Sequence, residues 1–158
     1  MASAGNPALD ALAAAGIRHR QIRHGPVRSL AEAATARGVA PADVVKTLVV
    51  RRGDDDFVFV LVPGDRTLSW PKLRAVLGVS RLSMPDAEVA KAATGYARGT
   101  ITPFGSAKPW PVIADERLHG RDVTLGAGEH GLAVAVAADE VVRVLGAEVA
   151  DVTDPETG

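Results

Sequence analysis

Residues 44–62 hold two apolar runs, VVKTLVV and FVFVLV, separated by Arg51-Arg52 and the polar stretch Gly53-Asp54-Asp55-Asp56. β-Branched and aromatic residues suit the pleated, half-buried surface of a strand. Two such runs on either side of a Gly/Asp cluster read as an antiparallel hairpin. Val44, Val45, Leu48, Val49 and Val50 make the first of them a buried strand, and Pro63-Gly64-Asp65 ends the second. The three aspartates form a solvated turn, because sequential carboxylates diverge instead of converging on one ion. Lys46 interrupts the first run, and a lysine among valines carries a desolvation cost. Two readings follow. Either its ammonium reaches water from a strand end, or it points into a cleft to hold a phosphate.

Helices and strands flank this hairpin. Asn6 or Asp10 opens a first helix that ends near Gly16. Residues 17–23 form a short strand. Ser29, with Glu32 three places on, starts an alanine-rich helix with a capping box; Gly38 closes it, and its small face packs on a flat surface such as a sheet. Ser69-Trp70-Pro71 begins a helix to Leu77. Residues 80–84 read as a short strand, and Asp86 caps a helix that runs to about residue 94. Strands follow over 111–115, 121–125 and 132–137, then a helix over 139–145, a strand over 147–152 and a polar tail over 153–158. Several strands are adjacent in the chain, so the class is mixed α/β (α+β), not a purely alternating parallel sheet. The 158 residues, 47% hydrophobic, suffice for one domain over 1–158 with its core over about 17–152. Aromatics are only 4%, so the core is Val, Leu, Ile and Ala.

The chain has no cysteine, which excludes disulfides, thiolate nucleophiles and cysteine metal sites. Its first residues lack the basic start and apolar run of a signal peptide, and no stretch approaches a membrane span. A soluble cytoplasmic domain is the expectation. The net charge of −1 provides no global field for nucleic acid. RNA contact then falls to local basic residues, with Arg51, Arg52, Arg98 and Lys108 as candidates.

Residues 94–105 read TGYARGTITPFG, with Gly95, Gly99, Gly105 and Pro103. Glycine lets another molecule approach the backbone, and proline fixes its own φ and restricts Thr102 before it. Such a loop of fixed shape either connects a helix to a strand tightly or offers its N–H groups to an anion or a developing oxyanion. His24, His119 and His130 have no metal-ligand spacing, so no metal is expected. Ser106 is not in a G-x-S-x-G elbow, and no Ser/His/Asp arrangement suggests a covalent hydrolase. Gly126-Ala127-Gly128-Glu129-His130-Gly131 satisfies G-x-G-x-x-G, with Asp151 twenty residues beyond, and so a dinucleotide-binding module stands as an alternative. The strand-like alternation after Gly131, and its place near the end of the sequence, oppose that reading.

Taken together, VVKTLVV, VPGDR, SWPKLRAVLGV, TGYARGTITPFG, PVIADERL and GAGEHGL resemble, in order, the YbaK-type aminoacyl-tRNA deacylases. These are free-standing relatives of the editing domain of bacterial prolyl-tRNA synthetases. The resemblance spans residues 17–152. It implies a mixed β-sheet curled like a partial barrel with helices around it, and hydrolysis of the ester joining a wrong amino acid to the 3′ end of a tRNA. It implies catalytic roles for Lys46, Gly99 and Pro103: Lys46 as the contact to the terminal phosphate, and the G-x-x-x-P loop as the holder of the oxyanion. Ile22, Thr47, Thr100, Ile101, Thr102, Gly126, Gly128 and His130 are the implied substrate-binding residues. No cofactor is implied. The implied partners are the acceptor end of an aminoacyl-tRNA and prolyl-tRNA synthetase.

The chain departs from the family where some members have Ser-Gly-Gly, here Gly126-Ala127-Gly128, and where some have tyrosine, here Ile22. Thr47 resembles the branch acting on Cys-tRNA(Pro), whereas the Ala-tRNA(Pro) branch typically has asparagine. A catalytically silent relative that binds tRNA or a synthetase is the alternative to a deacylase.

Overall fold

The computed structural model describes residues 5–156. Its helices begin where a short polar side chain can take an unpaired N–H. The Asn6 side chain accepts from the Leu9 N–H at the start of α1 (Pro7–Ala14), and after β1 (His19–Arg23) Ser29 accepts from Glu32 at the start of α2 (Leu30–Arg37). The Glu32 carboxylate accepts from the Arg28 N–H, so the capping box is displaced by one residue from the expected geometry. The hairpin follows as β2 (Val45–Gly53) and β3 (Asp56–Pro63). After β4 (Arg66–Leu68), Ser69 caps α3 (Trp70–Leu77) and Asp86 caps α4 (Ala87–Thr94). The remainder is β5 (Val112–Asp115), β6 (Asp122–Gly126), β7 (Leu132–Ala137), α5 (Ala138–Leu145), β8 (Glu148–Ala150) and β9 (Thr153–Pro155).

The strands form sheets of order β2-β3-β5-β8 and β1-β7-β6, with β4 and β9 paired separately. In the first sheet β2 and β3 are antiparallel, whereas β3-β5 and β5-β8 are parallel. A parallel bridge between Val44 and Thr124 joins the edge of this sheet to β6. The result is a mixed sheet curled like a barrel that does not close, as the resemblance implied.

β3 explains why the sheet is buried on both faces. Its side chains alternate, so Phe57, Phe59 and Leu61 enter one core with Val45 and Val49. Val58, Val60 and Val62 enter a second core with Val50, Leu73, Ile113 and Val152. Lys46 lies opposite Val62 and therefore belongs to the second face, at the end where β4 begins.

Some segments differ from the sequence expectation. Residues 80–84 form no strand; only Ser83 pairs, by reciprocal backbone hydrogen bonds with Arg51. One pair fixes the chain there without a ladder. The polar tail begins instead as β9, with Thr153 fully buried, while residues 157–158 lie outside the described residues. A carboxylate explains this. Asp115, at the end of β5, accepts from the Val152 N–H at 3.1 Å and the Thr153 hydroxyl at 2.9 Å. Residues 126–131 connect β6 to its antiparallel partner β7, so the G-x-G-x-x-G stretch opens a strand and not the helix that a dinucleotide fold requires. Among the described residues no helix is long and apolar enough to cross a membrane.

Candidate functional site

A cavity of about 780 Å³ lies along the outer edge of β2. α2 supplies Leu30, Ala33 and Arg37, α4 and the residues before it supply residues 84–87 and Ala90, and the glycine loop supplies Arg98, Gly99 and Ile101. Residues 44–49 and Gly126 complete the wall. Thus Lys46, Thr47, Gly99, Ile101 and Gly126, far apart in the chain, meet at one cavity.

The β2 edge is open between two bridges, Val44 to Thr124 and Arg51 to Ser83. Arg51 turns both its backbone groups outward to Ser83. Backbone polarity alternates along an antiparallel strand, so Val49 and Thr47 turn theirs outward as well, toward the cavity. The Thr47 hydroxyl oxygen is buried and has no hydrogen-bond partner among the described residues. Buried polar atoms are nearly always paired, which marks Thr47 as a residue with unused bonding capacity at the cavity wall.

The glycine loop is held by its own side chains. The Thr94 hydroxyl donates to the Ala90 carbonyl at 2.8 Å and accepts from the Tyr96 N–H at 3.1 Å. The buried Tyr96 hydroxyl donates to the Phe104 carbonyl at 2.6 Å, and burial pushes its pKa up to about 12. Thr100 directs both its N–H and its hydroxyl to the Ala97 carbonyl, and its own carbonyl accepts from the Gly128 N–H. Gly99, between them, has φ +88°, a conformation that costs any other residue free energy. The Gly99 and Ile101 N–H groups have no hydrogen-bond acceptor among the described residues. Gly105 packs so closely on α1 that a Cβ there would lie 2.4 Å from the Pro7 carbonyl group. α1 is also tied to the 126–131 turn, because the Asn6 amide donates to the Ala127 carbonyl at 2.8 Å and to Glu129 at 2.6 Å.

The Lys46 ammonium donates to the Arg66 carbonyl on β4. β4 is in turn held by β9, and the Arg66 guanidinium donates to the Thr153 hydroxyl at 2.7 Å. A charged network anchors this corner. Arg117 contacts Asp115 and Asp151, and Lys72 contacts Asp151 and Asp154. Hydrogen bonding from Arg117 and then Lys72 holds the Asp151 carboxyl down at about 2.

Of the other residues implied by the resemblance, Pro103 and Thr102 are buried beneath the loop and do not line the cavity. The Thr102 hydroxyl accepts from the Phe104 N–H. Gly128 packs against Tyr96 and Asn6, and the exposed His130 ring lies beside Gly99, 3.5 Å from where a Cβ would be. Ile22 is half-buried on β1, in a row with Ala133 and Gly126 across the sheet, and does not line the cavity. Among the basic candidates, Arg98 lines the cavity. Arg51 and Arg52 pair with Asp54 and Asp56 at the hairpin turn, and the Lys108 ammonium sits 5.4 Å from the centre of the Trp110 ring. The sequence marked Asn6 only as a helix opener and gave no site signal for Arg37 or Tyr96, although Tyr96, like Phe104, is an aromatic inside the glycine-rich loop.

Comparison with known proteins identifies the family and the fold. Residues 24–144 match the model of the aminoacyl-tRNA editing domain. The chain is 27% identical over 134 residues to a protein of Enterococcus faecalis named "Putative Cys-tRNA(Pro)/Cys-tRNA(Cys) deacylase EbsC", covering 84% of this chain and 80% of that one. It is 40% identical over 89 residues to the proline–tRNA ligase of Thermosipho africanus, covering 56% of this chain but only 16% of the ligase. The crystal structure of a "putative trans-editing enzyme for prolyl tRNA synthetase" superposes with a TM-score of 0.85 at 26% identity, covering 98% of this chain and 99% of that one. The chain belongs to the aminoacyl-tRNA editing domain family.

Proposed function

We propose that the cavity hydrolyses the ester of a mischarged tRNA, acting in trans in the cytoplasm, with Cys-tRNA(Pro) or a similar small amino acid on tRNA(Pro) as substrate. The observation that carries this is the meeting of Lys46 with the open N–H groups of Gly99 and Ile101 at one cavity. Lys46, tethered to the Arg66 carbonyl, holds the terminal phosphate as a compact charge. The ester carbonyl then rests against the loop, where the Gly99 and Ile101 N–H groups stabilise the negative oxygen of the tetrahedral intermediate. Water attacks the carbonyl carbon, the intermediate collapses, the C–O bond to the ribose breaks, and the ribose oxygen leaves with a proton. An aminoacyl ester is already reactive, so registering a water against it supplies much of the rate. A free hydroxyl of the terminal ribose takes the place of a protein base. Pro103, buried below, keeps the loop in shape.

Thr47 supports a small polar amino acid, since its unpaired hydroxyl can bond a thiol, hydroxyl or amine. The resemblances to the E. faecalis protein and to the ligases support tRNA(Pro) as the carrier and prolyl-tRNA synthetase as a partner. The test is single-turnover deacylation across a panel of mischarged tRNAs. Cys-tRNA(Pro) should be hydrolysed fastest and cognate Pro-tRNA(Pro) spared. A well-folded protein that hydrolyses none of them would favour a silent binding role.

A further inference from the structure

Arg37 is the last residue of α2, and its half-buried side chain lines the cavity. Of the half-buried arginines, Arg52 has Asp56 and Arg117 has Asp115 and Asp151 as ion-pair partners, whereas Arg66 is held by Thr153 on β9. Arg37 has no carboxylate within ion-pair distance among the described residues. Its guanidinium donates to the Thr124 hydroxyl at 3.2 Å and makes a long 3.5 Å contact with His24 Nε2. Both are neutral acceptors, His24 in the tautomer whose Nδ1–H donates to the Gly25 carbonyl. Burial without a counter-charge lowers the Arg37 pKa, yet a guanidinium stays cationic at neutral pH. A residue at a helix C-terminus could simply complement the helix dipole. Arg37 instead reaches across to β6.

That destination is informative. Thr124 bridges to Val44, the residue just before β2 and two before Lys46. Two residues of extended chain span roughly 6–7 Å. Thr124, which holds the Arg37 guanidinium, thus lies beside the chain about one strand repeat before the Lys46 backbone, and Arg37 and Lys46 line one cavity with the arginine fork partly unoccupied. On the deacylase reading, which this inference takes as its starting point, the esterified amino acid has no free carboxylate of its own. The remaining anions are the phosphodiesters of the acceptor end or an acidic amino-acid side chain. A small-substrate cavity whose wall is mainly apolar favours the first.

We propose that Arg37 is a second phosphate-binding residue, holding the phosphodiester next to the one held by Lys46, so that the CCA end is gripped at successive phosphates. Arg37 is then a substrate-binding residue that leaves the chemical step alone.

The test is binding of an uncharged acceptor-stem minihelix ending in CCA, titrated at several salt concentrations, with wild type, Arg37→Gln and Arg37→Lys. Arg37→Gln should weaken binding about ten- to a hundredfold and lower the slope of log affinity against log salt by about 0.7. Arg37→Lys should keep most of the slope. Thr124→Val keeps the charge but frees the guanidinium, and should weaken binding with the slope retained; it serves also if Arg37→Gln fails to fold. In parallel, Arg37→Gln should raise KM for a charged minihelix with kcat little changed, and should hydrolyse an aminoacyl-adenosine, which has no phosphodiester, at the wild-type rate. Wild-type affinity and slope in folded Arg37→Gln would overturn the assignment, as would failure of wild type to bind the minihelix. Loss of hydrolysis of Asp-charged but not Ala-charged minihelix, with binding of the uncharged form intact, would move Arg37 to side-chain recognition and overturn it too. Because binding is read on an uncharged ligand, a wild type that binds with the expected slope yet hydrolyses no ester would sink the deacylase reading alone.

Discussion

The Tyr96 hydroxyl and the Phe104 carbonyl, 2.6 Å apart, close the glycine loop on itself. Residues 99–103 hang between these two anchors, so the bond fixes the loop that brings Gly99 and Ile101 to the cavity wall. Tyr96→Phe keeps the ring against Gly128 and leaves a buried carbonyl without its donor. It should destabilise the protein by about 1–2 kcal/mol and lower kcat for deacylation more than it raises KM. The same phenol gives an alkaline signature. Its pKa is 10.0 in the unfolded chain and about 12 when folded, so the folded state retains the proton longer. Stability present below pH 10 should fall by about 1.4 kcal/mol per pH unit from there to the folded value. The difference in urea midpoint between wild type and Tyr96→Phe should therefore shrink over that window; a constant difference would remove the phenol from the account.

Lys46→Ala separates chemistry from fold. Losing one charge-assisted contact costs about 2–3 kcal/mol, so single-turnover deacylation should fall at least about thirtyfold. The melting temperature should change little, because the lysine is half-buried at the end of the second core and its removal relieves desolvation. Lys46→Arg should restore little, since a planar guanidinium differs in shape from an ammonium. Wild-type rates in folded Lys46→Ala would take Lys46 out of the mechanism.

Thr47→Val exchanges an unpaired buried hydroxyl for a methyl of nearly the same size. Thermal stability should hold or rise by up to about 1 kcal/mol. If the hydroxyl bonds the substrate amino acid, kcat/KM on Cys-tRNA(Pro) should drop roughly five- to thirtyfold. A rise in stability with no loss of activity would show a hydroxyl that serves no substrate.

Asp115 was visible in the sequence only as the end of a strand, yet it decides the C-terminal structure. Its side chain is fully buried and holds Val152, Thr153 and Arg117. Asp115→Ala should cost about 3 kcal/mol or more in urea denaturation, because several buried donors lose their acceptor together. It should also loosen β9 and β4, and with them the Arg66 carbonyl that tethers Lys46. Faster amide exchange at residues 66–68 and 153–155 than elsewhere would show this; uniform exchange would contradict it.

The legible parts of the sequence were those written in local chemistry. Asn6, Ser29, Ser69 and Asp86 each sit where a cap must, and the alternation of residues 57–62 sets both cores. β4 and β9 were illegible because three-residue strands of mixed polarity have no period. What buries Thr153 is a carboxylate 38 positions away. Lys46 and Gly99 stood out as a charge in an apolar run and a glycine in a rigid loop. Arg37 did not, since an arginine closing a short helix is commonplace and only its reach to Thr124 sets it apart.

The open edge of β2 has a cost outside catalysis. A strand edge with unpaired backbone groups is a template on which another chain can add a strand and begin to aggregate. Here it is recessed: α2 and α4 overhang it, and the Ser83 and Thr124 bridges stop it at either end. A chain adding a strand here would first have to displace α2 or α4, so the elements that wall the cavity also guard the protein against polymerising through this edge.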